Sequence, residues 1–352
     1  MLVRTRAGAR IGAVLVVAAL VGGLAACGSE STGDEGAAPA GESTITIYSG
    51  RDEELVDPLL TQMEEKIGVN VKVRYGDSTE MAAQILEEGE GSPSDVYFSQ
   101  DAGSLGAVSE AGLLAKLPDD LLSIAPAPYR AEDGTWVPTS ARARVVAYNA
   151  EQVDEQELPQ NLDDLLDPRW DGQIGYAPTN SSWQAFVTAL RVLRGEEAAK
   201  AWLNGFAAQD PKRFEGNTEV LNGVDAGQVQ LGLINHYYWY ALVDEAGADN
   251  VTAQLHYVGG DDPLGLVNVA GAGVVSSSDE PEAAQSAVEF LLSEQAQQYF
   301  ADETAEYPVR VNVTSAEHGL PPISSLAGPD LDLSSLASLE ETLELLQETG
   351  LA

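Results

Sequence analysis

The sequence predicts an α/β protein built as two domains around a central cleft, joined by a hinge, and three observations lead there. Strand-like and helix-like segments alternate between residues 43 and 114, a second alternating set starts near Gln173, and two extended runs, 137–149 and 264–275, connect the sets. Such alternation implies mostly parallel sheets with helices on both faces.

Taken in order, Ser43-Thr44-Ile45-Thr46-Ile47-Tyr48 alternates polar and apolar residues as a half-buried strand does, and Ser49-Gly50 breaks it. Residues 52–67 read as a helix, 69–75 as a strand, 79–89 as a helix, 94–98 as a strand and 104–114 as a helix. In the second set, helical patterns cover 183–194, 196–207 and 237–246, and 281–300 and 334–349 close the chain as helices. The run 264–275 carries the chain back, so residues 43–142 plus 266–318 are expected to form lobe 1 and 143–265 plus 319–352 lobe 2.

Residues 1–27 open with Arg4, Arg6 and Arg10, continue through an apolar run at 11–20 and end in Leu24-Ala25-Ala26-Cys27. This is the pattern of a secretory signal with a lipobox. The only cysteine of the chain stands where a diacylglycerol thioether is attached, while the apolar run is too short for a good membrane-spanning helix. Residues 28–42 hold Gly, Ser, Ala, Pro and acid with little apolar bulk, which suits a flexible tether. The expectation is an exported monomer, lipid-anchored through Cys27 on the outer face of the cell membrane, with no internal disulfide.

The formal net charge of −38 disfavours nucleic acid as a partner. It concentrates cations near the surface, and with only five lysines it equally suits adaptation to high salt.

In open α/β sheets ligands sit beyond the carboxyl ends of strands, against helix N-termini. The loops so placed are 48–52, 75–80, 98–103, 177–183 and 235–238. The last contains Asn235-His236-Tyr237-Tyr238-Trp239-Tyr240. Phenolate oxygen is a hard ligand that suits ferric iron, and neighbouring side chains converge only where a strand gives way to a helix. An aromatic cluster packed as core is the other reading. Asn180-Ser181-Ser182 opens a helix after a short strand, where backbone N–H groups and hydroxyls hold a small anion or simply cap the helix. Asp52, Glu80 and Asp101 fall in the same loops, each also a candidate cap or surface carboxylate. Ala270-Gly271-Ala272-Gly273 imitates a dinucleotide fingerprint but lacks the third glycine and the following helix. With His236, His256 and His318 the only histidines, and no nucleophile elbow, phosphate loop or zinc-protease helix, enzymatic chemistry has little to draw on.

Six segments in order resemble the ferric-ion-binding branch of the substrate-binding proteins that serve ABC importers: 47–51, 85–98, 142–146, 174–179, 234–239 and 306–308. The resemblance covers about residues 43 to 325. It implies a two-lobed, type II periplasmic-binding-protein-like fold, Fe³⁺ as the transported ligand and a small synergistic anion, carbonate or phosphate-like. Tyr237 and Tyr238 match the family's iron ligands. Asn180, Ser181, Ser182, Asn217 and Asn235 match its anion site, with Arg142 a further contact. Where several members have a histidine and a glutamate, this chain has Asp52 and Gln100. The implied partners are an ABC permease and its ATPase. Rival readings keep the fold for an oxyanion, a polyamine or an organic acid, or make the chain a surface-anchored enzyme.

Overall fold

The computed structural model describes residues 43–326 and 328–352. The signal segment, the lipobox with Cys27 and the tether at 28–42 lie outside the described residues. Among those described, no helix is long and apolar enough to cross a membrane.

The first elements are β1 (Thr44–Ser49), α1 (Glu53–Ile67), β2 (Asn70–Tyr75), α2 (Ser78–Glu88), β3 (Val96–Ser99), α3 (Ala102–Glu110) and the short α4 (Asp119–Leu122). After them come β4 (Val137–Asn149), β5 (Ile174–Tyr176), α5 (Ser181–Arg194), α6 (Glu196–Ala208), β6 (Lys212–Arg213), α7 (Asn217–Asp225), β7 (Leu231–Asn235) and α8 (Tyr237–Ala246). The chain closes with β8 (Ala253–His256), β9 (Val267–Val274), α9 (Pro281–Leu291), α10 (Glu294–Asp302), β10 (Tyr307–Pro308) and α11 (Leu339–Glu348). Local chemistry sets many of these bounds. Asp52 caps α1 by accepting from the Glu54 N–H at 3.0 Å, and Gly68, at φ 69°, ends it in the left-handed region that favours glycine.

The strand order is β2-β1-β3-β9-β4-β7-β5-β6, with β8 and β10 also paired to β4. The expected parallel arrangement holds for β1 with β2 and β3, and for β5 with β6 and β7. Between these groups β9 and β4 run antiparallel to their neighbours, so the sheets are mixed rather than mostly parallel. The reason is connectivity: strands that leave one lobe for the other enter without a crossover helix. All thirteen residues of β4 are buried, and it changes partner between Ala143, paired with β9, and Arg144, paired with β7.

Two expected helices are broken. Residues 281–300 divide at Ser293, whose hydroxyl accepts from the Ala296 N–H and caps α10. Residues 334–349 begin as a 3-10 turn, Leu333–Ala337, before α11. That turn packs on α3 as well as α5, so this part of the tail touches both helices. The helix α7 had no counterpart in the periodicity reading, because Asn222 and Gly223 interrupt its short apolar stripe of Val220, Leu221 and Val224. The glycines of the fingerprint look-alike serve close packing in β9. A Cβ on Gly271 would stand 2.7 Å from the Val137 carbonyl oxygen, and one on Gly273 2.9 Å from that of Thr135.

Candidate functional site

A cleft of about 740 Å³ lies between the loops at the carboxyl ends of the strands. One wall carries Arg51, Asp52, Ser78 and Gln100; the other carries Asn180, Ser181, Glu215 and Tyr238. The structure therefore brings together Asp52, Gln100, Asn180, Ser181 and Tyr238, which sequence places far apart, while Tyr237 and Ser182 lie outside this lining. Asp101 instead caps α3, accepting from the Ser104 N–H at 2.9 Å, and Glu80 is exposed on α2.

β7 ends at Asn235 and α8 starts at Tyr237, so the two tyrosines occupy the first turn of a helix. Their rings stack at 4.4 Å between centroids and 29° between planes. Tyr237 is buried and Tyr238 only partly so. Burial, and then the neighbouring Tyr238, push the Tyr237 phenol well above its ordinary value, while Arg142 pulls it back. His236 beneath them has no exposure: its Nδ1 accepts from the Ala143 N–H at 3.2 Å and its Nε2 donates to the Ala305 carbonyl at 2.8 Å. It is a structural residue, with burial lowering its pKa to about 4.

The loop before α5 is a hydrogen-bonded cluster. Asn180 Oδ1 accepts from the Ser182 N–H at 3.0 Å and from Ser182 Oγ at 2.6 Å. Asn217 Nδ2 donates to Asn180 Oδ1 at 3.1 Å and Ser182 Oγ at 3.0 Å. Behind this helix start, Tyr176, Trp183, Phe206 and Trp202 form a chain of aromatic contacts at 5.0 to 5.6 Å that fixes its position.

The residue missed by sequence reasoning is Arg144. Alternate residues of a strand share a face, so Arg142 and Arg144 both point to the site side of β4, a signal present in Arg142-Ala143-Arg144. Arg142 lies 3.6 Å from Glu306 and beside Tyr237. Arg144 is the one that reaches the loop, donating from Nη1 to Ser182 Oγ at 3.2 Å. Its Nε and Nη2 are buried without hydrogen-bond partners, as are Asn217 Oδ1 and Asn235 Nδ2. Burial brings the guanidinium down to about 9, against the pull of Tyr238 and Tyr237, so it stays charged at neutral pH. A fixed cation and unpaired donors at the N-terminus of α5 are suited to an anion.

Deeper in, Glu306 accepts from Arg51 at 3.1 and 2.7 Å, from Ser140 Oγ at 3.1 Å and from Thr304 Oγ1 at 3.2 Å. Burial alone would raise this carboxyl; Arg51 and Arg142 hold it below the usual carboxylate range.

Two lobes, a mixed α/β sheet system and a polar interlobe cleft are the architecture of a solute-binding protein. The model of the bacterial extracellular solute-binding proteins matches residues 91–332, and the chain belongs to that family. It is 34% identical over 310 residues to the major ferric iron-binding protein of Neisseria meningitidis serogroup B, covering 87% of this chain and 93% of that one. Iron-bound HitA from Pseudomonas aeruginosa superposes with a TM-score of 0.82 at 37% identity, over 88% of this chain and 99% of the other. A Trichodesmium protein, IdiA (FutA), in complex with iron and citrate, superposes at 0.73 with 26% identity, over 88% and 100%. These relatives are solute-binding proteins, and this chain is one too rather than an enzyme.

Proposed function

We propose that this protein captures ferric iron in the cleft and delivers it to a membrane permease driven by an ATPase. In this reading Tyr237 and Tyr238 ligate the metal as phenolates. A carbonate- or phosphate-like anion bridges the metal to Asn180, Ser181, Ser182, Asn217, Asn235 and Arg144, while Arg142, held by Glu306, supplies positive charge beneath Tyr237. Asp52 and Gln100 close on the ion from the opposite wall, Asp52 as the stronger oxygen donor. The lobe division at residues 142/143 and 265/266 is the hinge, and the lipid on Cys27 keeps the exported protein at the membrane.

The single observation that carries this reading is the stacked tyrosine pair at the start of α8 beside a buried guanidinium with unpaired nitrogens. A hard trivalent ion suits phenolate oxygen, and its charge replaces two phenolic protons. Among the described residues no group of three or more His, Cys, Asp and Glu is placed to hold a metal, so oxygen donors of other kinds must dominate any ion site here. A relative named for ferric iron and two solved with iron bound, one of them with citrate as well, support the same cargo and an accompanying anion.

A ferric citrate titration followed in the visible region tests it. A phenolate-to-iron charge-transfer band is expected in the parent and absent from a Tyr237→Phe, Tyr238→Phe variant. With two protons displaced per ion, affinity falls by about two decades per unit of acidification. The unpaired nitrogens of Arg144 and Asn235 also favour a second reading, an oxyanion receptor that needs no metal. Phosphate binding to the double variant, unchanged in the absence of iron, with no band in the parent, would establish that reading instead.

A further inference from the structure

The carboxyl-terminal segment joins both walls of the cleft, and we propose that it is a latch that holds the lobes together. α3 follows directly from Gln100 on one wall, and α5 begins at Ser181 on the other. The turn Leu333–Ala337 lies along α3, with Leu333 and Leu336 buried. Its backbone comes so close that a Cβ on Gly103 would run into the Leu336 carbonyl, and one on Gly106 would stand 2.8 Å from the Ser334 carbonyl oxygen. Glycine is a poor helix residue beside alanine. Two of them, three residues apart on one face of α3, make a groove for this segment.

The hold on the second wall is of another kind. Arg191 Nη1 donates to the Ser338 carbonyl at 2.7 Å and to Thr342 Oγ1 at 2.7 Å, and the hydroxyls of Thr188 and Thr342 are 2.7 Å apart. α11 buries Leu345 and Leu346, Lys200 pairs with Glu348 at 2.6 Å, and Arg213 donates to the carbonyls of Gly350 and Ala352. The segment is thus hydrogen-bonded to the α5 side at many points and merely seated by shape on the α3 side. When the cleft opens, the tail stays with α5 and the leucines leave the glycine groove. Contacts present in one state only bias the equilibrium toward it. Leu339, next to the turn, lines both the main cleft and a second cavity of about 350 Å³ between α2, α3 and α5, so the latch sits against the space that must change on opening.

The test reads lobe opening without any ligand, so it stands or falls apart from the identity of the cargo. Small-angle scattering of the full chain gives a radius of gyration, roughly 20 Å for a compact protein of this length. Gly106→Ala fills the groove while improving the helix, and Leu336→Ala empties it without touching α3. Both variants are expected to unfold cooperatively and to scatter as larger particles than the parent. An unchanged radius in the two folded variants would overturn the latch. So would loss of cooperative unfolding in both, because the turn would then be an integral part of the first lobe's core.

Discussion

Two buried arginine environments sit two residues apart along β4 and differ in how their charge is met. Around Glu306, two guanidiniums, a serine and a threonine converge on one carboxylate. Around Arg144, one guanidinium reaches a single hydroxyl and leaves Nε and Nη2 without partners, next to unpaired atoms of Asn217 and Asn235. Burying an uncompensated charge is expensive, so the second arrangement persists only where something other than stability selects it. Arg51 Nε and Arg142 Nη1 of the first cluster lack hydrogen-bond partners too, but its charges are compensated by Glu306; among the described residues Arg144 has no ion-pair partner, and its surroundings are shaped for a ligand.

The largest effect should come from breaking the charge-compensated cluster around Glu306. Glu306→Gln leaves two buried guanidiniums facing each other, and urea denaturation should register a loss of about 3–5 kcal/mol. Next is acid. His236 is neutral in the fold, with Tyr307 stacked on it, Tyr237 and Tyr240 edge-on to it, Glu306 drawing a proton toward it and Arg142 repelling one. Because its folded pKa of about 4 lies below the unfolded value, the unfolded chain takes the proton first. Its contribution is therefore fully present above roughly pH 6.5 and lost as pH falls toward about 4, a change on the order of 3 kcal/mol. Comparing unfolding of the parent and His236→Gln across this window isolates it from the carboxylates; equal slopes would reject the assignment.

Arg144 should behave in the opposite way to Glu306. Arg144→Met removes a desolvated charge packed 5.4 Å from the Phe186 ring, so stability should move by no more than about 1 kcal/mol. Calorimetry with phosphate should nevertheless show binding weakened by about 2 kcal/mol, roughly thirtyfold. A large loss of stability with binding intact would erase the distinction between the clusters. The smallest effect is expected from Asn217→Ala, which removes two hydrogen bonds within the 180–182 loop and should cost about 1 kcal/mol of the same phosphate affinity.

Much of this was legible in the chain because it depends on neighbours in sequence. Period-two alternation marked β1 and β2, the capping residues Asp52 and Asn180 marked the starts of α1 and α5, and the strand-to-helix step at 235–237 marked the tyrosine pair. Ser293, by contrast, was a cap hidden inside a continuous helical pattern, and α7 was too short and too rich in poor helix formers to stand out. Arg142 was singled out and Arg144 passed over, although both lie on the same face of β4. Their difference depends on Glu306, more than 160 residues away, and on which of the two meets Ser182.

What the sequence determined by itself, then, is the α/β element order and the residue types offered at each loop, since both follow from local periodicity and side-chain chemistry. The antiparallel crossing of β4 and β9, the meeting of Asp52 and Gln100 with Tyr238 across one cleft, the pairing of Arg51 with Glu306 and the seating of Leu336 against Gly103 were decided by tertiary structure alone. Each depends on contacts between distant segments, whose register and burial no local pattern encodes.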